Sequence, residues 1–315
     1  MRAITYNQYG SADVLETVKM ARPIAKADQV LVRIHAAALN PIDYQMRRGR
    51  FHPFVRTRFP RIPGSDFAGI IAEIGSKVTN MKVAEEVYGM AKTSVGGSYA
   101  EYIAIHPAEI ARKPASISFV EAASLPLAAL TSLQALRDLG NIRPGMQVLI
   151  NGASGGVGVF GVQLAKTFGA SVTAVCSHRN VELVKALGAD RIIDYTQQNI
   201  RQLDDAFDIF YDAYGNQSYS KIKHLLTSNG RYISTIPSLR NFRHRLFTFF
   251  SRKKARVVLV SSTTRDLDEL RMLVEAGELR PVIDQEFLLE QAREASLYLE
   301  TRRAKGKVVL TGLHP

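Results

Sequence analysis

A single cysteine, Cys176, stands in a chain of 315 residues. That scarcity excludes an internal disulfide and any zinc site built from several cysteines, and it points to a reducing, cytoplasmic setting. Long apolar runs are missing too. The largely apolar, uncharged stretch Ala122–Leu136 has 15 residues and is interrupted by Pro126, whereas a bilayer-spanning helix needs about 20. The opening MRAITYNQYG has no apolar core after its arginine, so a secretory signal is not expected. Repeats, low-complexity tracts and Ser/Gly-rich linkers are also absent, which leaves domain boundaries to fall inside structured segments, near Ser118 and Ser261. Acid is scarce in one place above all. Arg240–Arg256, RNFRHRLFTFFSRKKAR, holds seven Lys or Arg and no Asp or Glu, and so carries more than half of the net charge of +12. A basic balance invites a nucleic-acid reading, but this excess is local and no nucleic-acid partner is expected.

What is present falls into two patterns. From Gln147 onward short apolar runs alternate with helical ones: QVLI, then 156–168; SVTAVC, then 181–187; then RIID, FDIFYDA, GRYIST and RVVLV. Nearly continuous apolar strands between helices are how a parallel sheet reads when helices cover both faces. Before Lys113 the strand-like pieces VLVRIHAAAL, AGIIAEIG, EEVYGM and AEYIAI are separated by Gly and Pro rather than by helices, which predicts a compact, largely antiparallel β domain. Helical periodicity returns at 265–276 and 289–302, and KVVLT at 307–311 reads as a last strand. This tail is expected to rejoin the N-terminal domain, dividing the chain into 1–118 with 262–315, and 119–261.

The strand QVLIN runs into Gly152-Ala153-Ser154-Gly155-Gly156-Val157-Gly158. The spacing Ala153-x-Gly155-x-x-Gly158 keeps the three small positions of a dinucleotide turn: a tight bend, a backbone that approaches a pyrophosphate, and a helix close to its strand. The following helix N-terminus offers unpaired N–H groups to phosphates, and strand, turn, helix and second strand come in the order the motif requires. Ser154, Gly155, Gly156 and Val157 are the expected cofactor contacts. An acid for the adenosine ribose is missing. Nineteen residues after Gly158 comes Ser177, followed by His178, Arg179 and Asn180, where an NAD site carries Asp or Glu. A carboxylate repels a 2′-phosphate, whereas a hydroxyl and a guanidinium donate to it. Ser177 and Arg179 therefore point to NADPH. The plain alternative for Arg179 is a solvated residue at a helix start, although a cation there is unfavourable without an anion nearby.

Several motifs occur in order: ALNPIDYQMRRG (38–49), PGSDFAGIIAEIG (63–75), GGSYAEY (96–102), SLPLAALTS (124–132), NGASGGVG (151–158), LGADRIIDYT (187–196) and KGKVVLT (305–311). With them the chain resembles the zinc-independent quinone oxidoreductases of the medium-chain dehydrogenase/reductase superfamily over nearly its whole length. The resemblance implies an α/β architecture: a Rossmann doubly wound parallel-sheet domain plus a GroES-like, mainly antiparallel β domain. It also implies NADPH, a hydrophobic quinone or α,β-unsaturated carbonyl as substrate, and a homodimer. Zinc-using relatives place a cysteine where Asn40 lies, a histidine at Ser65 and another cysteine near Leu127, and carry a four-cysteine lobe. This chain has none of these, and since zinc needs three or four close N, S or O ligands no metal is expected.

Without a metal, hydrogen-bond donors must support the charge that develops on a substrate oxygen. The resemblance puts NPIDY beside the nicotinamide, so Asn40 and Tyr44 become the candidate donor and orienting groups, with Asp43 organising the loop. A packing aromatic is the alternative for Tyr44. Related sequences often carry lysine at Gln45, and Ala84-Glu85 replaces a frequent Gly-Asp. By the same resemblance Thr131 faces the nicotinamide or its ribose, Tyr195 and Asn180 lie at the 2′-phosphate, and Lys307 approaches the cofactor unless it is an ordinary strand-edge lysine. Asp212 ends a strand where open α/β sheets bind ligands, or else caps the next turn.

The basic segment also carries Phe242, Leu246, Phe247, Phe249 and Phe250, and it has three readings. It is a partly packed loop with solvated cations, a peripheral contact with an anionic membrane surface, or a nucleic-acid contact through stacking. For the whole chain the expected activity is reduction of quinones or of the C=C bond of α,β-unsaturated carbonyls. The alternative is a catalytically idle NADPH-binding protein that senses the cofactor.

Overall fold

The computed structural model describes residues 1–52, 55 and 57–313. It divides into two compact units, one of Met1–Leu127, Ser261–Gly277 and Pro281–Pro315, the other of Ala128–Val260 with Glu278–Arg280.

In the first unit β1 (Arg2–Thr5) and β2 (Glu16–Lys19) form an antiparallel pair. The larger sheet begins with β3 (Val30–Ala38), β4 (Asp66–Ile74), β5 (Glu86–Met90), β6 (Tyr102–Ile105) and β7 (Ile110–Arg112). β3 and β4 run antiparallel from Val30 opposite Ile74 to Ala38 opposite Asp66, so the end of β3 and the start of β4 lie side by side. α1 (Pro41–Arg47) leaves directly from β3, with Pro41 at its first position, where a missing N–H is harmless. α2 (Phe119–Ala123) packs on β3 and β4, and Phe119 stacks on His35 at 4.3 Å. That packing keeps 119–127 with the first unit, so the division falls inside α3 (Pro126–Leu133) rather than at 118.

The second unit holds β8 (Gln147–Asn151), α4 (Gly158–Thr167), β9 (Ser171–Cys176), α5 (Val181–Ala186), β10 (Arg191–Asp194), β11 (Phe207–Asp212), α6 (Tyr219–Ile222), β12 (Leu226–Ser234), α7 (Leu239–Phe247) and β13 (Lys254–Val257). All its strands are parallel, in the order β10-β9-β8-β11-β12-β13. Counted within the unit this is 3-2-1-4-5-6, the doubly wound order of dinucleotide-binding folds. Leu149, Val175, Phe210 and Tyr232 fill the core on the sheet. Winding reverses between β8 and β11, which opens a crevice at their carboxyl ends, Asn151 and Asp212. The strand expected at RVVLV sits slightly earlier, at β13, and part of the basic segment is the helix α7 rather than a loop.

The tail adds α8 (Thr264–Glu275), β14 (Ile283–Leu288), α9 (Ala292–Glu300) and β15 (Lys307–Thr311) to the first unit. β15 pairs antiparallel with β3 and parallel with β14, giving the order β14-β15-β3-β4-β5-β7 with β6 on β3. Val308 and Leu310 enter the core with Val32, Ile34, Phe67 and Ile71. Among the described residues no helix is long and apolar enough to cross a membrane.

Candidate active site

In the second unit the turn between β8 and α4 is shaped by what it cannot hold. Gly152 has φ +84°, a conformation side chains rarely adopt, and a Cβ on Gly158 would stand 2.1 Å from the Gly152 carbonyl oxygen. Around Gly155, by contrast, only Gly152 O lies near, at 3.5 Å, so the turn is open where a pyrophosphate would approach. In the first turn of α4 the Val159 N–H bonds Gly155 O at 3.0 Å, and no acidic side chain stands there. Ser132 Oγ donates to Val157 O at 2.9 Å and lies 3.3 Å from the Tyr211 hydroxyl. That contact pins α3 to the turn and sets the neighbouring, buried Thr131.

Asp212 has a structural task. Its carboxylate accepts from Asn151 Nδ2 (2.7 Å), the Tyr232 hydroxyl (3.0 Å) and the N–H groups of Gly215 (3.0 Å) and Gln217 (2.9 Å). It staples the two strands at the point of reversal and caps the turn that follows.

The exit of β9 offers donors and one orphaned acceptor. Asn180 Nδ2 donates to Ser154 Oγ at 2.9 Å, tying this exit to the glycine turn, while Asn180 Oδ1 is buried without a hydrogen-bond partner among the described residues. A buried acceptor in want of a donor fits a ribose hydroxyl. Ser177 is half-buried beside it, and Arg179 is exposed and free of ion pairs among the described residues. Tyr195 follows β10, its N–H bonded to Cys176 O at 3.1 Å and its ring 61% exposed. Asp194 turns its Oδ1 to Thr196 N–H and Oγ1, and those bonds hold its carboxyl below the ordinary value. The residues at this exit and the open turn together fit a phosphorylated dinucleotide.

In the first unit a polar cluster lies under the junction of β3, β4 and β15. Lys307 Nζ donates to Asn40 Oδ1 at 2.6 Å and lies 3.5 Å from Asp66 Oδ2; Asn40 Nδ2 donates to Asp66 Oδ2 at 2.9 Å. An ammonium only donates and a carboxylate only accepts, so the two together fix which way the carboxamide faces. Asp66 Oδ1 accepts the Leu127 N–H at 2.9 Å. Asn40, Asp66 and Lys307 are all nearly inaccessible. Burial pushes the Asp66 carboxyl up and the Lys307 ammonium down, each restrained by the other.

One step along α1, Asp43 Oδ2 accepts the Asn40 N–H (2.8 Å) and the Tyr99 hydroxyl (3.0 Å). Burial pushes Asp43 up to about 7, against the pull of these two donors, and burial beside Asp43 raises Tyr99. Tyr44 is 8% exposed, and its hydroxyl has no hydrogen-bond partner among the described residues. A cavity of about 10 Å³, roughly one water, is lined by Asn40, Asp43, Tyr44 and Tyr99 among others.

Of the residues singled out in the sequence, Ser154 and Asn180 are bonded to each other and Asn40 is bonded to Lys307. Lys307 sits within the first unit, its ammonium engaged by Asn40 and Asp66. Asp66, Tyr99 and Ser132 escaped the sequence reading. Asp66 did leave a signal: it is the acid that opens the apolar run DFAGII.

A doubly wound nucleotide fold with an open glycine turn, joined in one chain to a mainly antiparallel sheet carrying buried polar donors, defines a dinucleotide-dependent oxidoreductase architecture. Residues 26–115 match the Alcohol dehydrogenase GroES-like domain, and residues 187–310 match the Zinc-binding dehydrogenase family. The whole chain aligns at 40% identity with 79% of the 2-methylene-furan-3-one reductase of Solanum lycopersicum. Another relative is the chloroplastic NADPH-dependent alkenal/one oxidoreductase of Arabidopsis thaliana, 36% identical over 98% of this chain and 79% of that one. The quinone oxidoreductase from Coxiella burnetii superposes with a TM-score of 0.92 at 34% identity, over 99% of each chain. The chain belongs to the medium-chain dehydrogenase/reductase superfamily, in its quinone oxidoreductase-like branch. The zinc of the second family description does not fit here. Among the described residues no three His, Cys, Asp or Glu are grouped to hold a metal, and the cation on Asn40 and Asp66 is the Lys307 ammonium.

Proposed function

We propose that this protein is an NADPH-dependent, metal-independent reductase of quinones or of the C=C bond of α,β-unsaturated carbonyls. The observation that carries the reading is the exit of β9. There a hydroxyl and an exposed guanidinium without an ion pair among the described residues stand where a ribose-binding acid would be, beside the Asn180 acceptor. Both plant relatives described above are named for reduction of carbonyl-conjugated alkenes.

NADPH, when bound, supplies the hydride. Ser154, Gly155, Gly156, Val157 and the N-terminus of α4 would hold its pyrophosphate, Ser177, Arg179 and Tyr195 its 2′-phosphate, Asn180 a ribose hydroxyl, and Thr131 the nicotinamide side. The chain's own task is to support the substrate oxygen as it gains charge. Tyr44, whose hydroxyl has no hydrogen-bond partner among the described residues, is the donor for that oxygen, and it can hand on a proton. Asn40 is the orienting group: with its oxygen held by Lys307 and its nitrogen by Asp66, it fixes the start of α1, from which Tyr44 projects. Lys307 acts through Asn40 as a positioning residue. The same reading makes the enzyme cytoplasmic and homodimeric, with β13, bonded to β12 alone among the described strands, as an open sheet edge. It also gives segment 240–256 a peripheral membrane contact.

The test is anaerobic NADPH oxidation with a panel of quinones, enals and enones, paired with equilibrium binding of NADPH and NADH. Turnover on at least one class and a preference for NADPH are expected. Arg179→Ala should weaken NADPH by about 10-fold, the lower end of a charge-assisted bond because the site is exposed and shared, and leave NADH unchanged. Binding without turnover on any class, or a ratio of the two affinities unmoved by Arg179→Ala, would overturn the reading.

A further inference from the structure

α7 is docked by its polar side. Asn241 donates from Nδ2 to Ser234 Oγ at 3.1 Å and to Ile236 O at 2.9 Å. Thr248, just past the helix end, accepts the Ala255 N–H at 2.9 Å. Asn241 and Thr248 are buried and His244, between them on the same side, is half-buried. An amphipathic surface helix ordinarily turns its apolar side inward. Here Leu239, Leu246 and Phe247 are 83%, 72% and 72% exposed, and the turn that follows exposes Phe250 to 95%. Phe249 stands edge-on to Phe250 at 4.9 Å. The outward side is therefore an apolar stripe in water, continued by an aromatic tip.

Cations surround that stripe, and between 240 and 256 no acid offsets them. Arg243 lies 6.0 Å over the Phe247 ring, and Arg240, Arg245 and Arg252 are exposed. What covers such a face must be apolar at its centre and anionic around it. A second copy of the face would bring the cations together, which like-charge repulsion opposes. A nucleic acid offers phosphates and bases for the rings to stack on, but no place for Leu239 and Leu246. The interface of a bilayer offers both, with phosphates above and acyl chains below.

We infer that α7 and the turn after it, residues 239–254, seat this protein on the surface of a bilayer containing anionic phospholipid. Leu246, Phe247 and Phe250 enter the boundary between headgroups and acyl chains, and the flanking arginines and lysines lie at the phosphates. The contact uses none of the residues assigned to cofactor or substrate, so it stands or falls apart from the chemistry.

The full chain is floated with vesicles of phosphatidylcholine alone and of phosphatidylcholine with phosphatidylserine. Binding confined to the phosphatidylserine vesicles and weakened by salt is expected. Leu246→Ser with Phe250→Ser, and separately Arg243→Glu with Arg252→Glu, should each lower the vesicle partition about 10-fold or more, with turnover of a soluble quinone retained. No binding to either vesicle, equal binding to both, or partition unchanged in both variants overturns the inference. So does displacement from vesicles by a single-stranded RNA probe at lower concentration than a vesicle competitor. A dimer that light scattering shows to dissociate in the Leu246→Ser, Phe250→Ser variant would assign the face to a second copy and overturn it as well.

Discussion

Replacing Asp43 by asparagine would isolate the energetic consequence of one half-buried carboxyl. Burial raises Asp43 from an ordinary 3.8 to about 7. Between those values the folded protein holds a proton that the unfolded chain has already released. Stability attributable to this group is thus fully present below the unfolded pKa and is lost as pH rises through the folded one. A rise of that size corresponds to roughly 4 kcal/mol. The carboxamide introduced by Asp43→Asn cannot ionise, yet its oxygen can take the same two bonds, from Asn40 N–H and the Tyr99 hydroxyl, that Asp43 receives on one oxygen. The substitution should therefore be close to neutral in acid and stabilising by a few kcal/mol in mild alkali. Urea unfolding followed by circular dichroism from about pH 5 to about pH 9 measures this as the difference between the two proteins at each pH. A difference that stays constant over that range would refute the reasoning, because only an ionising Asp43 makes it vary.

Lys307→Met should destabilise by about 3–5 kcal/mol, since it leaves Asp66 charged and buried without a counter-ion; adding Asp66→Asn should recover much of the loss in the same urea titration. Ala84 has φ +68°, where a side chain costs about 1–2 kcal/mol and glycine loses up to about 1 in chain entropy. Ala84→Gly should therefore raise the thermal midpoint slightly, and a fall would show that this turn is not strained.

How far the sequence could be read follows from how local each signal is. Alternating apolar runs and the glycine turn report on neighbours in the chain, so most strands of the two larger sheets, the start of α4 and the return of KVVLT to the first sheet were legible, whereas the short β7 and β14, IDQEFL, were not. The boundary near 118 was not, because Phe119 is held by a ring stack on His35, far back in sequence. Lys307 read as a cofactor contact or an edge lysine. That its ammonium faces Asn40 depends on β15 pairing with β3, which no short window contains. For α7 the composition was plain but the direction was not: the same residues, turned half a revolution, would have buried Leu246 and exposed Asn241. Asn241 and Thr248 decide it by bonding Ser234 and Ala255, two partners that belong to separate strands.

The position of β15 bears on how the chain is made. Residues 307–311 lie between β14 and β3, inside the first sheet, yet they are synthesised after the whole second unit. During translation the second unit can complete its sheet from contiguous chain, while β3, already flanked by β4 and β6, lacks its partner at Ala37 and Ala38, and Asp66 lacks its ammonium. The order of synthesis thus makes the nucleotide fold first and the Asn40 cluster last, and a nascent chain stalled before residue 307 exposes the unpaired Ala37–Ala38 end of β3 to other chains.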